Sequence, residues 1–91
     1  MLTMEQWKEE VSKLDDLIAL LTNSPSSPES LIALEHVQSA RGCALESMPA
    51  ECEFDLKLAW TAIRQIDDEA TRQNAEKILS SLPPGTRLAK D

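Results

Sequence analysis

The run Met4-EQWKEEVSKLDDLIAL-Leu21 decides the fold. Met4, Trp7, Val11, Leu14, Ile18 and Leu21 recur at alternating spacings of three and four, so both seam positions of three consecutive heptads are apolar. A helix with such a stripe is unstable alone in water, because the stripe must be covered. Start signals agree with it. Thr3 can cap the helix with Gln6 completing a capping box, and Leu2 and Trp7 occupy the positions of a hydrophobic staple. Glu5, Glu9 and Glu10 load the positive end of the helix dipole. The helix is expected over about residues 4–22, with Leu17 and Leu20 widening the stripe toward its end.

Beyond it, Asn23-Ser-Pro-Ser-Ser-Pro28 breaks the chain. Asn23 suits a helix end, Pro25 cannot continue one, and Ser27-Pro28 is a hydroxyl cap followed by proline at the first helical position. The second helix is expected over about 28–47, with an apolar arc of Leu31, Leu34, Val37, Ala44, Leu45 and Met48. Arg41 projects from the middle of that arc. Its stem can lie along apolar surface while its head reaches solvent or a carboxylate, or it can anchor another helix or subunit through an acid. Gly42 costs about 1 kcal/mol relative to alanine in a helix interior. With Ala40, Cys43 and Ala44 it makes a small-residue patch that another helix could approach.

Pro49 ends the second helix, since the residue before proline avoids helical geometry. A third begins near residues 50–53, with a stripe of Cys52, Leu56, Ala59, Ile63, Ile66 and Ala70, flanked by Trp60 and Ala62. After Ile66 the rhythm shifts to Ala75, Ile78, Leu79 and Leu82. The shift falls at Asp67-Asp68-Glu69, where Asp67 or Asp68 can cap a new helix and Asp68–Arg72 can support it. No strand pattern appears, and there is no tyrosine. The expectation is an all-α fold: a small antiparallel bundle of three main helices, the third kinked or split near residues 67–69. Residues 1–82 would form one domain and 83–91 a flexible tail. Helices one and three, with their similar stripes, are expected to face each other, and helix two to close the third side.

Ninety-one residues bury only about 60% of the surface that the unfolded chain exposes, so the fold is marginal alone and gains from a second copy or a partner. Two cysteines, Cys43 and Cys52, are too few for a disulfide framework and are expected as reduced thiols. No signal peptide and no long apolar run occurs, so a soluble, cytoplasmic protein is expected. The net charge is −7, unevenly spread. Met1 to Leu56 holds eleven acids against three bases, −8, and the remainder carries +1. An acidic surface repels phosphate backbones and anionic membranes, and is compatible with a basic protein partner.

No catalytic or metal pattern stands out. The single histidine, His36, is expected on the polar side of helix two, and Cys43 lies two turns away, about 10 Å, beyond a hydrogen bond. His36, Cys43 and Cys52 match no zinc spacing, and the acids at 67–69 match no calcium loop. Catalytic, cofactor and metal residues are therefore expected to be none. The run Asp55-Leu-Lys-Leu-Ala-Trp-Thr-Ala-Ile-Arg-Gln-Ile66 resembles part of the C-terminal helical segment of the tRNA-modification GTPases. Residues 67–68 depart from that family's Thr-Gly, and its terminal cysteine motif and GTP-binding loop are missing, so the resemblance implies nothing for function.

The function expected is non-enzymatic: a small acidic bacterial or phage adaptor, chaperone or inhibitor that binds a protein. One version is an inhibitor that occupies a basic, nucleic-acid-binding surface. A homodimer is expected, and the candidate contact residues are Asp15, Asp16, Leu17, Leu20, Arg41, Trp7 and Trp60, with both tryptophans able to serve as core or as anchors. The alternative is a dimeric regulator that meets nucleic acid through a strip of Arg64, Arg72 and Lys77.

Overall fold

The computed structural model describes residues 4–46 and 48–82, without the side chains of Met4, Gln6, Trp7 and Pro49. The Thr3 cap, the Leu2–Trp7 staple and the 83–91 tail lie outside these residues. Four helices follow in order: α1 (Met4–Asn23), α2 (Pro28–Leu45), α3 (Pro49–Ile63) and α4 (Glu69–Ser80). The fold is all-helical, as expected, but the count of three main helices is corrected to four.

The boundaries follow from local chemistry. Ser27 caps α2 with extended backbone, its Oγ accepting from Ser30 N–H at 3.1 Å. Ser30 Oγ accepts in return from Ser27 N–H at 2.9 Å, a capping box in which serine replaces the usual Glu or Gln. Pro28 then needs no partner for the N–H it lacks. At the other end Met48 N–H reaches back to the Cys43 carbonyl at 2.9 Å, and Pro49 opens α3.

The break after α3 makes α4 a separate helix. Gln65 N–H and Ile66 N–H bond back only three residues, to Ala62 and Ile63, which tightens and ends the helix. Asp68 caps α4, accepting from Thr71 N–H at 2.9 Å and from the Thr71 hydroxyl. Arg72 does not pair with Asp68 through its guanidinium. It donates to the Ile66 carbonyl at 2.7 Å and so clasps the joint from the far side.

Packing differs from the expected scheme in three ways. First, α2 is the middle element. It lies along α3 most extensively and along α1 next, while α4 rests on α1 and touches α3 less. Among the described residues α1 and α3 do not approach backbone to backbone; their stripes meet through side chains alone, as Cys52 does with Glu10. This is not a uniform antiparallel three-helix bundle.

Second, α2 buries its small residues. Ser30, Ala33, Val37, Ala40 and Ala44 point inward, whereas Leu31, Leu45 and Met48 of the expected arc are exposed. A helix squeezed between two others must let both approach, and alanines allow the short interaxial distance that leucines would prevent. Third, Ala70 is exposed and Glu10 is fully buried. Glu10 continues the line of Leu14, Leu17 and Leu21, so the turn of α1 that buries those leucines carries its carboxyl inward too.

The remaining stripes hold. Cys52, Leu56, Ala59, Ile63 and Ile66 meet Leu14, Leu17 and Leu21 in one core, which Ala75, Leu79 and Leu82 close from the α4 side.

Candidate functional site

The polar feature of the fold lies in the seam between α2 and α3. Ile32, His36, Ser39 and Cys43 succeed one another at four-, three- and four-residue spacing and share one side of α2. Asp55 of α3 faces them. Its Oδ2 accepts from Ser39 Oγ at 2.7 Å, and its Oδ1 lies 3.4 Å from His36 Nδ1. Cys43 Sγ lies 3.9 Å from Oδ2. His36 and Cys43, too far apart to touch along their own helix, thus meet one carboxylate.

The cluster ties α2 to α3 through the Asp55 carboxylate. A nucleophile needs a base beside it, but Ser39 donates to the carboxylate and not to His36. A reactive cysteine needs an electropositive setting that favours the thiolate. Burial pushes the Cys43 thiol up, and Asp55, Glu51 and Glu46 push it further. Cys52 is more extreme: burial, then Glu10, raise its thiol far above the ordinary value. Its Sγ donates to Glu10 Oε2 at 3.3 Å across the core. Both cysteines are free thiols. Among the described residues no group of three or more His, Cys, Asp or Glu could hold a metal ion.

The expected contact residues are scattered. Leu17 is fully enclosed, and Leu20 is half-buried against the core. Asp16 is exposed. Arg41 Nε donates to Asp15 Oδ1, tying α2 to α1 at a solvent-exposed site. Trp60 is half-buried, with the Arg64 guanidinium carbon 4.8 Å from its ring centre, a cation–π contact. The Trp7 side chain lies outside the described ones.

What the fold leaves uncovered is elsewhere. Among the described residues the large apolar side chains that remain exposed are Leu31, Ile32, Leu45, Met48, Phe54 and Leu58, on α2, α3 or the link between them. Phe54 is 63% exposed, the most of the six. Phe54 and Leu58 are one helical turn apart, and Ile32 lies on the α2 side that faces α3. Sequence reasoning passed over all three because it followed the inward stripe. Their signal was an apolar pair half a turn off the Cys52–Leu56–Ala59–Ile63 line.

Acids surround these side chains. Asp55 lies in this seam, Glu51 stands one turn before it on α3, and Glu46 follows the last residue of α2. Glu35 shares the outer side of α2 with Ser39 and Glu46 by spacing. One base joins them: Lys57 stands three residues after Phe54, its neighbour on the surface of α3, whereas Arg64 lies over Trp60.

No family model, no curated protein and no solved structure matches the chain. The resemblance of residues 55–66 to tRNA-modification GTPases gains no support from these comparisons. Among the described residues no helix is long and apolar enough to cross a membrane.

Proposed function

We propose that this protein is a non-enzymatic interaction module, an adaptor, chaperone or inhibitor that works by binding another protein. The observation that carries the reading is that, among the described residues, the exposed large apolar side chains lie on α2, α3 and their link. Burying such side chains is worth about 1.5–3 kcal/mol each, and several left in water on neighbouring helices offer a partner something to cover. The thiol and carboxyl chemistry described above supports no competing catalytic role.

The case for a homodimer rested on Leu17 and Leu20, and the core takes up both. The protein is therefore expected to bind as a single copy, and light scattering should give the monomer mass over a wide concentration range. The nucleic-acid reading is weakened on similar grounds. Arg64 lies on Trp60 and Arg72 is bound to the Ile66 carbonyl, so two of the strip's three bases are engaged within the chain. Labelled DNA or RNA should show no salt-sensitive shift; a clear one would favour the strip instead.

The direct test is capture of the tagged protein from its source cells followed by quantitative mass spectrometry. A stoichiometric protein partner is expected. Its absence, with the tagged protein folded and abundant, would overturn the reading.

A further inference from the structure

We infer that the outer face of the α2–α3 pair docks a basic amphipathic helix. The inference rests on the interaction-module reading and names the surface and the chemistry of its partner. Phe54 and Leu58, one turn apart on α3, supply apolar anchors, and Ile32 lies on the side of α2 that carries His36 and Ser39. That is what an amphipathic helix needs to lay its apolar side down, with anchors at i, i+3 or i+4, and i+7.

Charge selects the occupant. Glu51 lies one turn before Phe54 and Asp55 one turn before Leu58, and Glu35 and Glu46 share the outer side of α2. With four acids against one base, Lys57, along this face, lysines and arginines that flank the leucines of a partner helix meet a net opposite charge. A second copy of this chain would bring the same acids against themselves, which like-charge repulsion opposes. Anionic lipid and nucleic acid are repelled in the same way.

Asp55 also has a positioning part. Its hydrogen bond from Ser39 and its approach to His36 fix α3 against α2 at this level. Phe54 and Leu58 are therefore held by a braced helix, which lowers the entropy lost when a partner arrives.

The test uses the full chain and a synthetic peptide of about 18 residues, long enough to be helical, built of leucine and lysine with leucines at helical spacing. A peptide of the same pattern with glutamate for lysine is the control. Binding is read by isothermal titration calorimetry at two salt concentrations. The leucine–lysine peptide should bind, more weakly at high salt, and the leucine–glutamate peptide should not. Phe54→Ala with Leu58→Ala should weaken binding at least about tenfold, as loss of central anchors does. Glu51→Lys should weaken it more than Asp16→Lys, which changes net charge equally on the exposed side of α1. Leu45→Ser should leave it unchanged. All these positions are exposed, and circular dichroism confirms that each variant keeps its fold.

Equal effects of Glu51→Lys and Asp16→Lys, or no effect of the Phe54 and Leu58 changes, would overturn the choice of face. Binding of the acidic peptide alone would overturn the charge argument. So would sedimentation of the protein with phosphatidylglycerol vesicles, or a dimer that Phe54→Ala dissolves. If neither peptide binds while a stoichiometric partner is still captured from cells, this inference fails and the interaction-module reading stands.

Discussion

Replacing Gly42 with alanine should make the protein more stable. Gly42 lies within α2, and an added Cβ would meet no atom within 4 Å. Its backbone is not in the left-handed region that only glycine tolerates without strain, and its carbonyl accepts from Glu46 N–H at 3.1 Å as the last turn closes. Nothing in the fold therefore requires glycine there. Alanine removes conformational freedom from the unfolded chain and fits the helix without a clash. Interior positions gain close to 1 kcal/mol, and Gly42 stands only one turn from the helix end, so the expected gain is about 0.5–1 kcal/mol. For a domain of this size that is a rise in Tm of roughly 2–8 °C. Urea unfolding followed by far-UV circular dichroism and tryptophan fluorescence should show a higher midpoint with the same slope. A midpoint that falls or stays put would refute the reasoning, since it would mean that the backbone at 42 leaves helical geometry or that something closes over it. The sequence suggested a small-residue patch for close helix approach. Among the described residues no other helix lies within 4 Å of a Cβ added at Gly42, and the small residues that α2 buries are Ser30, Ala33, Ala40 and Ala44.

Other perturbations bear on the core, the thiols and the surface. Leu56→Ala, at a fully buried position, should cost about 2–5 kcal/mol by urea titration, a large share of the 5–15 kcal/mol typical of a whole domain. The Cys52 thiol is raised above its ordinary value of 9.0, so its contribution is fully present below pH 9 and is lost as pH rises. Stability measured at successive pH values above 9 should therefore fall by up to about 1.4 kcal/mol per unit for this group, and Cys52→Val should flatten that slope. The Asp68 carboxyl is held below its usual value by its hydrogen bonds from Thr71, so its support of α4 should persist at neutral pH and fade as pH falls through the carboxylate range. Helix content followed by circular dichroism should show this fading, and Asp68→Ala should abolish the acid step. A double-mutant cycle on Asp15 and Arg41 should give a coupling under about 1 kcal/mol that shrinks in high salt, because both side chains are exposed.

Helix ends were the most legible part of the sequence, because caps and prolines act locally. Ser27-Pro28, Met48-Pro49 and the acids at 67–69 mark boundaries where the structure has them, and Asp68 is the residue that caps α4. The stripes of α1, α3 and α4 were legible too, since leucine and isoleucine dominate their inward sides. The stripe of α2 was not. Its large apolar residues, Leu31 and Leu45, face water, and its inward side is mostly alanine, which carries little weight in a hydrophobicity pattern. That choice is made by the two helices that press on α2, not by α2 itself. Glu10 was hidden for the same kind of reason: a glutamate in a first turn reads as a dipole partner, and only the line it shares with Leu14 and Leu17 shows that it goes inside. Exposed Phe54 and Leu58 stayed hidden because they are single residues off the stripe that decides the inward side of α3.

The clasp between Arg72 and the Ile66 carbonyl turns α4 away from α3 and onto α1, so the first and last helices of the described chain are neighbours. That closure has a kinetic consequence. The α2–α3 contacts span a short loop and can form early, whereas α4 can dock on α1 only after a loop of some fifty residues has closed. Folding should therefore begin in the middle of the chain and end by joining its two flanks. Opening should run in reverse: amide hydrogens of α4 and the start of α1 should exchange soonest, and those around Val37 and Leu56 last.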